Sequence, residues 1–275
     1  MTSTLDTEAI GALEPARAFS LGGKTAIVTG AGGGIGRWLA AGLGAAGASV
    51  LVTDFDEGAL KNCAETLAAA QLEVSAFACD LGEADAAQRI VDATVERFGG
   101  VDVLVNNAAV NRRLPIDEMD GETWDLITTI DLKVPYFLSQ AAARAMRERG
   151  GGSIVSISSI NFTYGLEQIS VYGPAKAGLS QLTRVMALEW TQHGIRANAI
   201  APGYMDTPLA EPIWADADIS RWILNRVPMD RPGQPRELVG MCQLLASDAG
   251  SFITGQTFIV DGGFMAGGRW FTPDR

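Results

Sequence analysis

Three side chains in the second half of the chain have types and spacings suited to proton transfer. Ser159 ends the apolar, β-branched run that starts at Ser153, Tyr172 follows thirteen residues later, and Lys176 lies four residues beyond Tyr172. If Tyr172 begins a helical turn, Lys176 shares its face, and a nearby ammonium favours the phenolate. An isolated tyrosine has a pKa of about 10, so Lys176 is expected to bring the phenol towards acid/base use near neutrality. The Ser159 hydroxyl could hydrogen-bond a carbonyl or alkoxide oxygen while Tyr172 exchanges its proton.

A glycine-rich turn near the N-terminus lies between a predicted strand, residues 24–29, and an alanine-rich helical segment, residues 37–46. Glycines let the backbone pass close to a pyrophosphate, and a helix N-terminus presents unpaired amides to it. The spacing Thr29-Gly30-x-x-x-Gly34-x-Gly36 therefore predicts a dinucleotide site. We assign to it Gly30, Gly33, Gly34, Ile35 and Gly36.

Asp54 follows the next predicted strand, residues 49–53. A carboxylate at this point can accept hydrogen bonds from the adenosine ribose and would repel a 2′-phosphate. Neither position 33, a glycine, nor position 55, a phenylalanine, carries a basic side chain that would offset that repulsion. Arg37 lies inside the helix that follows the glycine turn, where it can pair with a neighbouring acid. The sequence therefore predicts NAD as the cofactor, with Asp54 and Phe55 at the ribose.

These motifs together resemble the short-chain dehydrogenase/reductase family from about Leu21 to Gly263. The resemblance implies that Ser159 polarises the substrate oxygen, that Tyr172 transfers its proton, and that Lys176 lowers the Tyr172 pKa and holds the nicotinamide ribose. Asn106-Asn107-Ala108-Ala109 departs mildly from the usual Asn-Asn-Ala-Gly of the family. The resemblance also implies further cofactor contacts at Asp80, Leu81, Asn107, Ala108, Pro202, Gly203 and Thr207, besides Tyr172 and Lys176.

Asp131 is the departure from the family pattern that bears most on the chemistry. It stands in Asp131-Leu132-Lys133-Val134. This run resembles the Asn-Leu-x-Gly pattern of the family, in which the asparagine is a fourth catalytic member. An ionised aspartate accepts hydrogen bonds but has no NH₂ donors, and its charge favours a protonated Lys176. Either Asp131 acts with Lys176, or it serves the structure alone in a local distortion.

The alternation of strands and helices predicts an α/β fold with a doubly wound parallel sheet in a single domain. The family resemblance adds seven strands in the order 3-2-1-4-5-6-7. Residues 124–147 and 177–192 are predicted as two long helices, and the resemblance implies that they pair across subunits in a homotetramer. Residues 1–20 are interpreted as a flexible extension, and residues 204–235 of the 21–275 domain as a substrate lid or, alternatively, an oligomer contact.

Composition narrows the class of protein. A net charge of −11 over 275 residues opposes nucleic-acid binding. No apolar run approaches the ~18 residues of a membrane span, and residues 1–18 lack the pattern of a secretory signal. The three cysteines are far apart and are expected to be reduced, which favours a cytoplasmic protein without a disulfide framework. No cluster has metal-ligand spacing, so we expect no metal site.

The sequence therefore predicts an NAD-dependent oxidoreductase that interconverts a secondary alcohol and a ketone. Adjacent guanidinium groups in the loop after Asn106-Asn107-Ala108-Ala109 can hold a carboxylate, which favours a hydroxy acid such as a sugar acid, although both could instead be solvated or pair with Asp117 and Glu118. The run also resembles those in sugar-acid and polyol dehydrogenases of the family, so the expected substrate is a polyol, sugar or sugar acid. Alternatives are a β-ketoacyl or cyclic ketone reductase, and a low-turnover dinucleotide-binding scaffold or sensor. The proposed substrate contacts are Arg112, Arg113, Asn161 and Trp214.

Overall fold

The computed structural model describes Gly11 and residues 14–268. Seven parallel strands form one sheet in the order β3-β2-β1-β4-β5-β6-β7, which confirms both the predicted fold class and the predicted strand order. The strands are β1 Thr25–Thr29, β2 Ser49–Asp54, β3 Val74–Ala78, β4 Val103–Asn106, β5 Gly152–Ile157, β6 Ile195–Pro202 and β7 Thr257–Val260.

The helices flank this sheet and connect its strands. They are α1 Pro15–Ala18, α2 Gly34–Ala45, α3 Glu57–Ala69, α4 Ala86–Phe98, α5 Gly121–Thr128, α6 Val134–Glu148, α7 Tyr172–Trp190, α8 Glu211–Ala215, α9 Ala217–Leu224 and α10 Val239–Ala246. No helix in the described part of the chain is long and apolar enough to cross a membrane. The prediction for residues 1–20 falls largely outside the described residues.

The central strands are apolar because helices cover both of their faces. Every residue of β1 is buried. Ala26 and Val28 belong to the core cluster that also contains Leu39 of α2 and Leu245 of α10. Ile27, between them, belongs to the cluster on the other face, which α4, α6 and α7 complete. This alternation fixes the strand register, with Ala26 beside both Val50 and Val103.

The long helix predicted over residues 124–147 is interrupted. It is α5, a π-helical turn over Thr129–Lys133, and then α6. Pro135 gives the physical reason, since it has no backbone N–H to donate to the carbonyl of Asp131 four residues earlier. The interruption brings Asp131 inward, where its side chain is fully buried. Sequence periodicity alone did not reveal this turn.

The carboxyl ends of β1 and β4 are tied together at the point where the strand order reverses. The Thr29 hydroxyl donates to Val105 O at 3.4 Å and accepts from the amides of Asn107 and Ala108, each at 3.0 Å. The Asn107 side-chain amide donates to Thr29 O at 2.8 Å. A crevice at such a reversal is the usual ligand site of open α/β sheets.

Candidate active site

The glycine turn after β1 forms one end of a cavity of about 540 Å³. Gly33 precedes α2, and no side chain caps that helix, so its first amides remain available to a ligand. A Cβ on Gly36 would collide with the Gly30 carbonyl oxygen and with the Asn107 amide. Gly36 therefore allows the turn to pack tightly against the end of β4, while Gly33 has open space beside it. This open, positively polarised helix end suits a pyrophosphate.

Asp54 ends β2 at the same side of the cavity. Its carboxylate accepts hydrogen bonds from the amides of Gly32 at 2.9 Å and Asp56 at 3.1 Å, which hold it against the glycine turn. Arg37 points elsewhere, donating to the side-chain oxygen of Asn62 on α3 at 3.2 Å. The side chain of Phe55 is exposed at the cavity. The Asp54 charge is thus presented to the cavity, while the Arg37 guanidinium is engaged with Asn62.

Ser159 follows β5 at the opposite end of the cavity, and Asn161 orients it. The Ser159 hydroxyl donates to the Asn161 side-chain oxygen at 3.1 Å and accepts from the Asn161 backbone amide, also at 3.1 Å. The Asn161 NH₂ group donates to Tyr164 O at 3.1 Å, which fixes the orientation of the amide. Because a hydroxyl has one proton, Ser159 must release Asn161 to donate to a substrate oxygen.

Tyr172 begins α7, so Lys176 lies one turn further on the same face. The Lys176 nitrogen is 5.5 Å from the centre of the Tyr172 ring. Burial raises the pKa of the Tyr172 phenol, and Asp131 raises it further, while Lys176 and hydrogen bonding to Ser159 lower it. The net direction is upward, which differs from the expectation that Lys176 would bring the phenol towards neutrality. Burial and a carboxylate outweigh the ammonium here.

Lys176 is itself buried and paired. Its ammonium donates to Ile157 O at 3.1 Å and lies 2.8 Å from the Asp131 carboxylate. Burial is the largest single effect and would lower the pKa of Lys176, but Asp131 and Tyr172 together outweigh it, so the pKa is raised. Lys176 therefore remains a cation at neutral pH.

The cavity brings together most of the residues proposed from the sequence. Those that line it on the cofactor side are Gly30, Gly33, Gly34, Ile35, Asp54, Phe55, Asp80, Leu81, Asn107, Ala108, Pro202, Gly203 and Thr207. Those at the reacting end are Ser159, Asn161, Tyr172, Lys176 and Arg113. Gly36 and Asp131 lie behind this lining and contact residues that belong to it.

The two adjacent arginines separate. Arg113 lines the cavity, and its charge acts on the half-buried phenol of Tyr204: partial burial raises the pKa of Tyr204, and Arg113 counteracts that rise. Arg112 is not part of the lining. Arg112 lies towards the start of α5, near Asp120. The pKa of Asp120 is lowered mainly by its hydrogen bonds from Thr123, and the charge of Arg112 lowers it further. Among the described residues neither arginine forms an ion pair with Asp117 or Glu118.

Trp214 also lies outside the lining. Its indole donates to Met205 O at 3.1 Å, and its ring packs edge-on against Tyr204, which does line the cavity. Trp214 thus supports the wall of the cavity from behind. The packing of α8 keeps Trp214 out of the lining, because the neighbouring Ile213 of the same helix is the residue that is buried and lines the cavity.

Sequence reasoning missed Asn111 as a candidate substrate contact. It lines the cavity two residues before Arg113, and its buried side-chain oxygen has no hydrogen-bond partner among the described residues. A buried acceptor of this kind is costly unless a ligand satisfies it. Its position in the loop after β4 was the available signal, since parallel strands end at the ligand site.

The residues present fit a nicotinamide dinucleotide. The glycine turn and the open N-terminus of α2 suit the pyrophosphate, and Asp54 suits the adenosine ribose. In the described part of the chain, no group of three or more His, Cys, Asp or Glu side chains is arranged to hold a metal ion. The reacting end instead presents a hydroxyl, a phenol and an ammonium around one cavity.

Comparisons with known proteins agree with this geometry. A family model described as enoyl-(acyl carrier protein) reductase matches residues 30–265. Gluconate 5-dehydrogenase of Gluconobacter oxydans (strain 621H) is 38% identical over 245 residues, which cover 89% of this chain and 96% of that protein. The 2-dehydro-3-deoxy-D-gluconate 5-dehydrogenase of Escherichia coli (strain K12) is 38% identical over 250 residues, covering 90% and 98%.

A solved structure is similar over the same length. The crystal structure of a gluconate 5-dehydrogenase from Burkholderia cenocepacia J2315, in complex with NADP and tartrate, has a TM-score of 0.88 and 35% sequence identity. The match covers 92% of this chain and 99% of that one. The two folds are therefore similar over nearly their whole length.

Proposed function

Since this chain belongs to the short-chain dehydrogenase/reductase family, we propose that it interconverts a secondary alcohol and a ketone of a sugar acid, with NAD(H) as its preferred cofactor. The observation that carries the proposal is the convergence of Ser159, Tyr172 and Lys176 at one end of a cavity whose other end is the glycine turn. Arg113 at the reacting end adds a group that can hold a carboxylate.

The nicotinamide, when bound, accepts or supplies the hydride. Tyr172 takes the hydroxyl proton in oxidation and returns it in reduction, while Ser159 donates a hydrogen bond to the same oxygen. Lys176 stabilises the phenolate that forms as the proton leaves Tyr172. The charge of Lys176 is held in place by Asp131 and Ile157, so it needs no reorganisation during the reaction.

The experiment for the activity is a spectrophotometric screen of purified protein with NAD(H). Gluconate and its keto acids are the first compounds to test, because relatives carry those names, with neutral polyols and cyclic ketones beside them. Turnover of an acid supports the proposal. Binding of NADH without an absorbance change for any compound would instead favour the scaffold or sensor.

Preference for NAD(H) over NADP(H) is supported by the charges at the cofactor end. A 2′-phosphate would meet the Asp54 carboxylate, and the cations that line the cavity in the described residues, Arg113 and Lys176, belong to its reacting end. The similar structure is a complex with NADP, so the proposed preference for NAD(H) rests on this chain's own residues, above all on the Asp54 carboxylate. Like charges brought together cost several kcal/mol.

We expect NADH to bind about 100-fold or more tightly than NADPH, since ~1.4 kcal/mol corresponds to a factor of ten. The double substitution Asp54→Ala with Phe55→Arg should narrow this ratio by removing the repulsion and adding a cation. Dissociation constants from quenching of protein fluorescence measure it without turnover. Asp56→Ala is the matched control, because Asp56 caps α3 through Ala59 N at 2.9 Å and does not line the cavity. Equal wild-type constants would contradict the assignment of Asp54.

Arg113→Ala should raise the KM for gluconate about tenfold or more, since hydrogen bonds to charged groups contribute about 1.5–3 kcal/mol. The KM for a neutral polyol such as sorbitol should change little. Arg112→Ala is the matched control, because Arg112 carries the same charge in the same loop but does not line the cavity. If Arg112→Ala has the larger selective effect, or neither affects the acid selectively, carboxylate binding by Arg113 is wrong.

Three broader features are part of the proposal. Exposed apolar side chains on α5, α6 and α7, namely Trp124, Tyr136, Phe137 and Leu188, support helix pairing in a homotetramer. The segment 204–235 contributes Tyr204, Met205 and Ile213 to the cavity wall, which supports a substrate lid. The three cysteines are free and buried, which supports a cytoplasmic, reducing location.

A further inference from the structure

Asp131 lies in the π-helical turn Thr129–Lys133 and reaches the residues at the reacting end of the cavity. The turn directs its carboxylate to 2.8 Å from the Lys176 ammonium, and both side chains are buried, at 0% and 1% exposure. An ion pair so fully removed from water is costly unless each charge finds further hydrogen bonds. Because this costly ion pair lies beside the reacting end of the cavity, we infer that it has a role in the reaction.

The surroundings of the pair select a carboxylate rather than a carboxamide. One Asp131 oxygen accepts from the Val110 amide at 3.0 Å, and the other faces Lys176. Both neighbours are donors, so two acceptor oxygens are needed. An asparagine would offer one oxygen and turn its NH₂ group towards either the ammonium or the Val110 amide. Lys176 also donates to Ile157 O, which links the pair to the end of β5.

The pair changes the electrostatics at Tyr172. Four groups face the phenol from the elements packed against it: Lys176 on its own helix, Asp131 from the π turn, Ser159 after β5, and Arg113 in the loop after β4. Burial is the main cause of the raised Tyr172 pKa, and Asp131 raises it further against the effects of the other three groups. A neutral residue at position 131 would leave the ammonium uncompensated.

We propose that Asp131 is a positioning residue which neutralises the field of Lys176 and keeps the Tyr172 phenol protonated at neutral pH. This rests on the proposed function. In ketone reduction, hydride forms the new C–H bond, the carbonyl π electrons take the Tyr172 proton, and solvent later reprotonates the phenolate. A protonated Tyr172 is the form that reduction requires, so Asp131 extends the pH range of reduction upwards and confines oxidation to alkaline pH.

The pH profile of Asp131→Asn tests the proposal in the active enzyme. Oxidation requires the phenolate, so kcat/KM for oxidation should rise at lower pH in the variant than in the wild type. The ratio of variant to wild-type kcat/KM should be about tenfold larger at pH 7 than at pH 10, as for a single neighbouring charge. Asp125→Asn, which removes an exposed charge on α5, should leave the profile unchanged. A uniform loss at every pH, or an unmoved profile, would overturn the proposal.

A second measurement titrates the wild-type protein and needs neither substrate nor a variant of Asp131; Tyr172→Phe serves only to assign the signal. The chain has four tyrosines, so ¹³Cζ-tyrosine labelling gives a simple NMR spectrum in which the signal absent from Tyr172→Phe identifies Tyr172. We expect the chemical shift of that signal to remain that of the protonated phenol up to pH 9. A phenolate signal for Tyr172 below pH 8 would refute the proposal. Failure of the sugar-acid function would leave this titration unaffected, so the two can be distinguished.

Discussion

Replacing Tyr172 with Phe is expected to lower kcat by about 10²–10⁴-fold, the usual contribution of a positioned acid/base group. The ring still packs at the start of α7, while the proton that must pass to or from the substrate oxygen is gone. NADH binding should be largely retained, because the phenol oxygen is one contact among the many that line the cavity. Steady-state kinetics and a fluorescence titration of NADH measure the two quantities separately.

Tyr136→Phe is the control for this substitution. Tyr136 loses the same hydroxyl group, but it lies exposed on α6 and does not line the cavity. Turnover in Tyr136→Phe should match the wild type. Robust activity in Tyr172→Phe would exclude Tyr172 as the acid/base group, and loss of NADH binding in it would assign the tyrosine a mainly structural role.

Lys176→Met is expected to remove most turnover and to lower the free energy of unfolding by about 3–5 kcal/mol, because it leaves the Asp131 charge buried without a partner. Lys176 and Asp131 are 1% and 0% exposed, so solvent cannot replace the lost ammonium. Urea unfolding followed by circular dichroism measures the stability. Lys133→Met, an exposed lysine in the same π turn, is the matched control and should change stability little.

The stability loss in Lys176→Met should depend on pH. Burial raises the pKa of Asp131, and the Lys176 ammonium that lowers it would be absent. A carboxyl whose folded pKa exceeds its unfolded value destabilises the protein increasingly as pH rises between the two. The loss should therefore be smaller at pH 5 than at pH 8. Adding Asp131→Asn should recover part of the stability but none of the activity; a double variant as unstable as Lys176→Met would contradict this account.

Much of the fold followed from local sequence features. The apolar runs of β1 and β4, the glycine turn and the alternation with helices predicted a doubly wound sheet, and the structure confirms it. Local sequence did not predict the π turn, because the helical periodicity continues across it. The effect of Pro135 on the carbonyl of Asp131 depends on the preceding residues already being helical.

For the site residues too, the sequence predicts local spacing, whereas the contacts between distant segments appear only in the folded chain. The spacing of Tyr172 and Lys176 determined that they share a helical face, whereas only the folded chain decided which charges surround them. Asp131 lies forty-five residues before Lys176 in the sequence, yet the two groups meet at 2.8 Å. Burial, to which the Asp131 carboxylate adds, raises the pKa of Tyr172 against the expected direction, and both effects arise only after packing.

The sequence by itself determined which chemical groups this protein brings to its cavity: a glycine turn, an acid after β2, and a Ser, Tyr and Lys set. The tertiary structure decided which neighbours reach that cavity. It separates Arg113 from Arg112, places Trp214 behind the wall, and leaves the buried side-chain oxygen of Asn111 without a hydrogen-bond partner among the described residues. The physical reason is that residue type and spacing fix chemistry and local geometry, whereas side-chain direction and burial depend on packing between distant segments.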